Sequence, residues 1–169
     1  AVLIGLGAQA QTILVQTDFA GYNGLPNSVP FGWFISNNDT SSTGKTFYTG
    51  ASTCGVTCPA YKFNLTGVES YIITPQFSNA DSVHFYMKGN GTYKPNKFRV
   101  YGGADTTTWT LIQQFDSVSA TSRTVSLPVG PAYNYLKFGY LKDSTGYNVG
   151  FDDVIIFQVV LPDNRAPRL

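Results

Sequence analysis

Gly150-Phe151-Asp152-Asp153-Val154-Ile155-Ile156-Phe157 sets two adjacent carboxylates at the head of an unbroken β-branched and aromatic run. Such a run is good strand sequence and predicts a buried strand that begins on two acids. Placing a bare carboxylate beside a core costs on the order of several kcal/mol, or shifts its pKa, unless the charge finds a partner. A hard cation with oxygen ligands, calcium above all, is one such partner. In the alternative, Asp152 points to solvent and Asp153 accepts backbone N–H bonds at the strand start.

Outward from that stretch, the chain repeats short strand-like runs broken by turn chemistry. Asp81–Lys88 alternates, with Val83, Phe85 and Met87 on one face and Ser82, His84, Tyr86 and Lys88 on the other. Lys97–Tyr101 alternates again, with Phe98 and Val100 inward. Further runs fall at residues 12–19, 31–35, 69–74, 108–115, 121–127, 133–140 and 149–160, separated by Gly, Pro and Asn. Nowhere do apolar residues recur at helical spacing for three turns. The expected fold is all-β, a two-sheet antiparallel sandwich of jelly-roll type.

Composition agrees. Charged residues make up 12% of the 169 and aromatics 15%, with 17 Gly and 9 Pro, which is poor helix and good strand-and-turn material. A net charge of +1 with no basic run gives no electrostatic case for nucleic acid or an anionic membrane. Residues 1–10 read as the end of a signal peptide, closing on Ala8-Gln9-Ala10, or as an apolar donor-type strand; ten residues are too few for a transmembrane helix. The domain is expected over 11–160, with 161–169 a linker or tail. Cys54 and Cys58 suit a local disulfide in an exported chain, while zinc would need two more ligands and the chain has one histidine, His84.

Catalytic supplies are thin: one His, one Glu, no nucleophile elbow and no phosphate loop. Asp152 and Asp153, as neighbours on a regular strand, would leave opposite faces and could not flank one bond. Binding fits better. His84 and Tyr86 with Arg99 and Tyr101 are expected to form one polar-aromatic face, joined by Tyr135 and Lys137, of the kind that holds a sugar; ordinary cross-strand packing is the competing account. Trp33 and Trp109 serve as platforms only if exposed. Asp-Ser and Asp-Thr pairs recur, at Asp39, Asp81, Asp105, Asp116 and Asp143, and read as turn starters or, for the last four, as similar to an O-glycosylation signal.

The ordered set Asp18-Phe19, Leu25-Pro26, Phe31-Gly32-Trp33, Cys54-Gly55, Pro59 to Phe63, Ser70 to Pro75, Phe85 to Gly91, Trp109, Leu136-Lys137-Phe138 and Phe151 to Ile156 resembles the cleaved-adhesin and choice-of-anchor jelly-roll domains, MAM-like in architecture, of Bacteroidetes proteins using type IX secretion. The likeness spans roughly residues 17–158. It implies a secreted or cell-surface, non-catalytic module with a glycan or cell-surface ligand, sometimes accessory to an enzyme. It also implies a structural calcium where the first and last strands meet, held by Asp18, Asn37, Asp39, Asp152 and Asp153. The segment after the Trp carries fewer acids here than the family pattern, which would weaken that site. A second reading is a structural subunit self-assembling by strand addition of the N-terminal segment.

Overall fold

A computed structural model describes residues 10–36, 46–91, 96–143 and 146–160. Eleven strands form two antiparallel sheets, with one 3₁₀ turn at Pro26–Ser28 and no α-helix among the described residues. The strands are β1 (Ala10–Thr17), β2 (Phe34–Ile35), β3 (Phe47–Tyr48), β4 (Ala60–Phe63), β5 (Ser70–Ile73), β6 (Ser82–Gly89), β7 (Lys97–Gly103), β8 (Thr110–Phe115), β9 (Arg123–Pro128), β10 (Tyr135–Leu141) and β11 (Val149–Val160). The six-stranded sheet runs β3-β4-β11-β6-β9 with β1 also on β11; the five-stranded sheet runs β2-β5-β10-β7-β8. The all-β sandwich expected from the sequence is the observed fold. No helix among the described residues is long and apolar enough to cross a membrane, which says nothing of strands.

Alternation in the sequence becomes two facing layers. Val83, Phe85 and Met87 of β6 and Phe98 and Val100 of β7 are all fully buried between the sheets. Phe151 lies at the centre. Its ring is 5.7 Å from Phe63 and 5.6 Å from Phe85 in its own sheet, and 5.9 Å from Phe98 and 4.7 Å from Phe138 in the other. Tilted and edge-on rings at these separations suit the aromatic quadrupole and fill an interlayer gap of about 10 Å.

The opening and closing strands lie side by side: β1 pairs antiparallel with β11 from Ala10↔Val160 to Thr17↔Val154. β4 pairs with the start of β11, at residues 149–151. The two partners therefore share one edge of β11, and Asp152 and Asp153 fall at the junction between them. The first strand begins at Ala10 and ends at Thr17, two residues short of the expected Phe19. Phe19 instead turns at φ 52° and drops its fully buried ring among Trp33, Tyr61 and Phe151. β3 and β4 were missed by pattern reading, because they are too short for alternation to register. Residues 1–9, on which the strand-addition expectation rests, lie outside the described residues.

Candidate functional site

Two places on the sandwich carry chemistry. The first is where β11 starts. A regular strand would send Asp152 and Asp153 to opposite faces, and the structure corrects that expectation. Between Asp152 and Ile155 the register against β6 slips by one residue, and Asp153 takes a left-handed φ of 48°. This is a β-bulge, and Asp is among the residues that tolerate the conformation. The extra residue keeps Phe151, Val154 and Ile156 in the core and turns both acids toward one loop.

That loop is closed by the Cys54–Cys58 disulfide, as the spacing predicted. Asp152 Oδ2 accepts the Gly55 N–H at 2.9 Å, and Asp153 Oδ2 accepts the Val56 N–H at 2.7 Å. Asp152 Oδ1 takes the Asp153 N–H at 2.9 Å. Gly150 lets the loop lie flat, since a Cβ there would meet the Thr53 carbonyl oxygen at 2.3 Å. The solvent-pointing alternative for Asp152 is thereby overturned: the residue is fully buried. Burial pushes its pKa up to about 7 against the backbone hydrogen bonds that lower it, and the charges of Asp153 and Asp18 add to the rise. Asp18 follows β1 directly and accepts the Ala20 N–H at 3.0 Å. Asn37 and Asp39 lie outside the described residues. Among the described residues no three His, Cys, Asp or Glu side chains are grouped to hold a metal.

The second place is the outer face of the five-stranded sheet. The four residues expected to share a face do not. His84 and Tyr86 stand on β6 in the six-stranded sheet, and Arg99 and Tyr101 on β7 in the other, so the two pairs point away from opposite sides of the sandwich. Outward alternation says which residues leave a sheet but not which sheet a strand joins. His84 packs edge-on against Phe157 at 5.0 Å, an ordinary cross-strand contact.

On the five-stranded sheet the register lays one row across all five strands: Phe34, Ile73, Lys137, Tyr101 and Leu111. The Lys137 ammonium lies 4.3 Å from the Tyr101 ring centre, 5.0 Å from that of Trp109 and 5.4 Å from that of Tyr71. Two glycines make room for neighbours to lie flat. A Cβ at Gly103 would be 3.0 Å from the Trp109 ring, and one at Gly139 would be 2.9 Å from Glu69 Cδ. The Glu69 Oε1 atom accepts from Arg99 Nη1 at 2.8 Å and from the Tyr101 hydroxyl at 3.0 Å. Arg99 Nε donates to Gln114 at 2.8 Å. These bonds fix the rim. Burial lowers the pKa of Lys137, an effect opposed by the Glu69 charge. Beside the row is a cleft of about 370 Å³ lined by Gly32, Phe34, Tyr71, Ile73, Thr106 and Tyr135 among others. Trp33 is buried in the core, so only Trp109 is available as a platform. Phe34 and Tyr71 join this face because β2 and β5 lie beside β10, an order that alternation within a strand does not carry; Trp109, expected as a platform only if exposed, stands partly exposed just ahead of β8.

Solved structures share this fold. The K2 cleaved adhesin domain of Lys-gingipain matches at 13% identity with a TM-score of 0.65, covering 87% of this chain and 99% of that one. The K3 domain, from Porphyromonas gingivalis, matches at 11% with a TM-score of 0.64, over 86% and 99%. A family 29 carbohydrate-binding module matches at 14% with a TM-score of 0.56, over 90% and 91%. No protein-family model and no curated protein matches the chain.

Proposed function

We propose that this domain is a non-catalytic, extracellular glycan-binding or surface-binding module whose site is the outer face of the five-stranded sheet. One observation carries the reading: three aromatic rings gathered round Lys137 beside an open cleft. Sugar recognition needs flat apolar area for the C–H face of a pyranose and fixed donors and acceptors for its hydroxyls. Tyr71, Tyr101 and Trp109 supply the area; Lys137, Arg99 and Glu69 supply the polar groups. The shared fold with cleaved adhesin domains and a carbohydrate-binding module supports the reading, and a disulfide is at home in an exported protein. The non-catalytic reading is supported by the fold shared with adhesin domains and carbohydrate-binding modules. The test is calorimetric titration with a panel of oligosaccharides. Trp109→Ala and Tyr101→Ala should each cost about tenfold or more in affinity, while His84→Ala, on the opposite sheet, leaves it unchanged. Equal losses on both sheets, or none at Trp109, would count against this face.

We further propose a structural calcium at the β1–β11 junction, drawing on Asp18, Asp152 and Asp153. The support is the buried Asp152 carboxylate, whose charged form is disfavoured first by desolvation and then by the charges of Asp153 and Asp18, a cost that a divalent cation would offset. The described residues do not by themselves form a closed cage, so the ion would also need carbonyl or water oxygens. An ion bound only by the native state raises stability by mass action. Chelation should therefore lower Tm by several degrees, and an unchanged melting curve after verified metal removal would sink the idea.

A further inference from the structure

The charges on the aromatic face do not balance, and the imbalance names a ligand class. Glu69 is engaged at 2.8 Å by Arg99, so those two charges answer each other. Lys137 makes no ion pair among the described residues; Glu69 acts on it only from farther away. Its ammonium sits half-buried against the rings of Tyr101, Trp109 and Tyr71. Rings attract a cation through their quadrupole, yet they replace only part of its lost hydration and carry no net charge. Among the described residues a lysine so placed has neither an anion in contact nor a hydrogen-bonding oxygen, and a bound carboxylate supplies both.

We infer that the ligand of this face is an acidic polysaccharide, in which a uronic acid ring stacks on Trp109 or Tyr101 and its carboxylate meets the Lys137 ammonium. The inference rests on the glycan-binding reading given above and narrows it. The register supports the geometry: Lys137 lies in the same row as Ile73 of the cleft floor, with Tyr101 directly across on the next strand, about 5 Å away. A pyranose lying over that strand pair would bring a ring substituent over Lys137 while its neighbour entered the cleft beside Tyr71 and Tyr135. Arg99 already meets Glu69 through Nη1 and Gln114 through Nε, so its charge is answered in contact where that of Lys137 is not.

The test compares acidic hexasaccharides (galacturonate, guluronate and glucuronate-containing) with neutral ones (gluco-, manno- and xylo-hexaose) by calorimetry on the intact protein. The expected result is at least tenfold tighter binding of an acidic member at low salt, with the advantage shrinking as sodium chloride is raised, because a partly exposed ion pair is screened. Lys137→Met should remove the advantage and Lys137→Arg should retain most of it. The salt series on the unaltered protein stands on its own if a variant folds poorly. Neutral hexasaccharides binding as tightly as acidic ones, or an acidic preference indifferent to salt and to Lys137→Met, would overturn the acidic class and leave the sugar face standing. Binding of no saccharide in either set would remove both.

Discussion

At Gly55 the disulfide loop comes so close to β11 that a Cβ would fall 1.9 Å from Asp153 Oδ2. Gly55→Ala must therefore push apart a loop whose amides are held by the two carboxylates, and should destabilise by about 1–3 kcal/mol; equilibrium urea unfolding reads this directly. Asp152 gives a pH dependence with a definite sign. Its folded pKa is raised from 3.8 to about 7, so the folded state holds that proton more tightly than the unfolded one. The contribution is present below the unfolded value and is lost as pH rises through about 7. The groups facing it are Asp18 and Asp153, with Tyr86 across the ladder. In chelator, Tm should fall between pH 5 and pH 8, and Asp152→Asn should flatten that slope. The same slope in the variant would assign it to another group.

Among the elements, the loop closed by Cys54–Cys58 spans only 4 residues of separation, and so short a closure removes little chain entropy. It is anchored independently by hydrogen bonds to Asp152 and Asp153. Reduction should leave unfolding cooperative; loss of a single transition, followed by circular dichroism, would refute that. The recurring Asp-Ser and Asp-Thr pairs include one clear turn starter: Asp105 Oδ1 accepts the N–H groups of Thr107 and Thr108, each at 2.8 Å. Those bonds hold its pKa below the usual carboxylate range and brace the turn that presents Trp109.

Across the whole molecule, stability depends on rings that meet from both layers. Phe151 touches Phe63 and Phe85 on one side and Phe98 and Phe138 on the other. Phe151→Ala should cost about 3–5 kcal/mol, since neither sheet can close on the void alone. A loss below about 1 kcal/mol in urea melts would mean that the layers reorganise.

The sequence by itself determined the all-β class, the inward sets on β6 and β7, and the disulfide. Each is local, or follows from a period-two pattern whose buried side cannot face water. Only the tertiary structure decided that β6 and β7 belong to different sheets, which separated His84 and Tyr86 from Arg99 and Tyr101. It alone brought Tyr71 and Trp109 to the Lys137–Tyr101 pair and set Phe34 in the same row, because strand order is set by how the two layers close on one another. The bulge at Asp153 was hidden for the same reason. A register slip is chosen by the packing of Phe151, Val154 and Ile156 together, and no single residue in the run announces it.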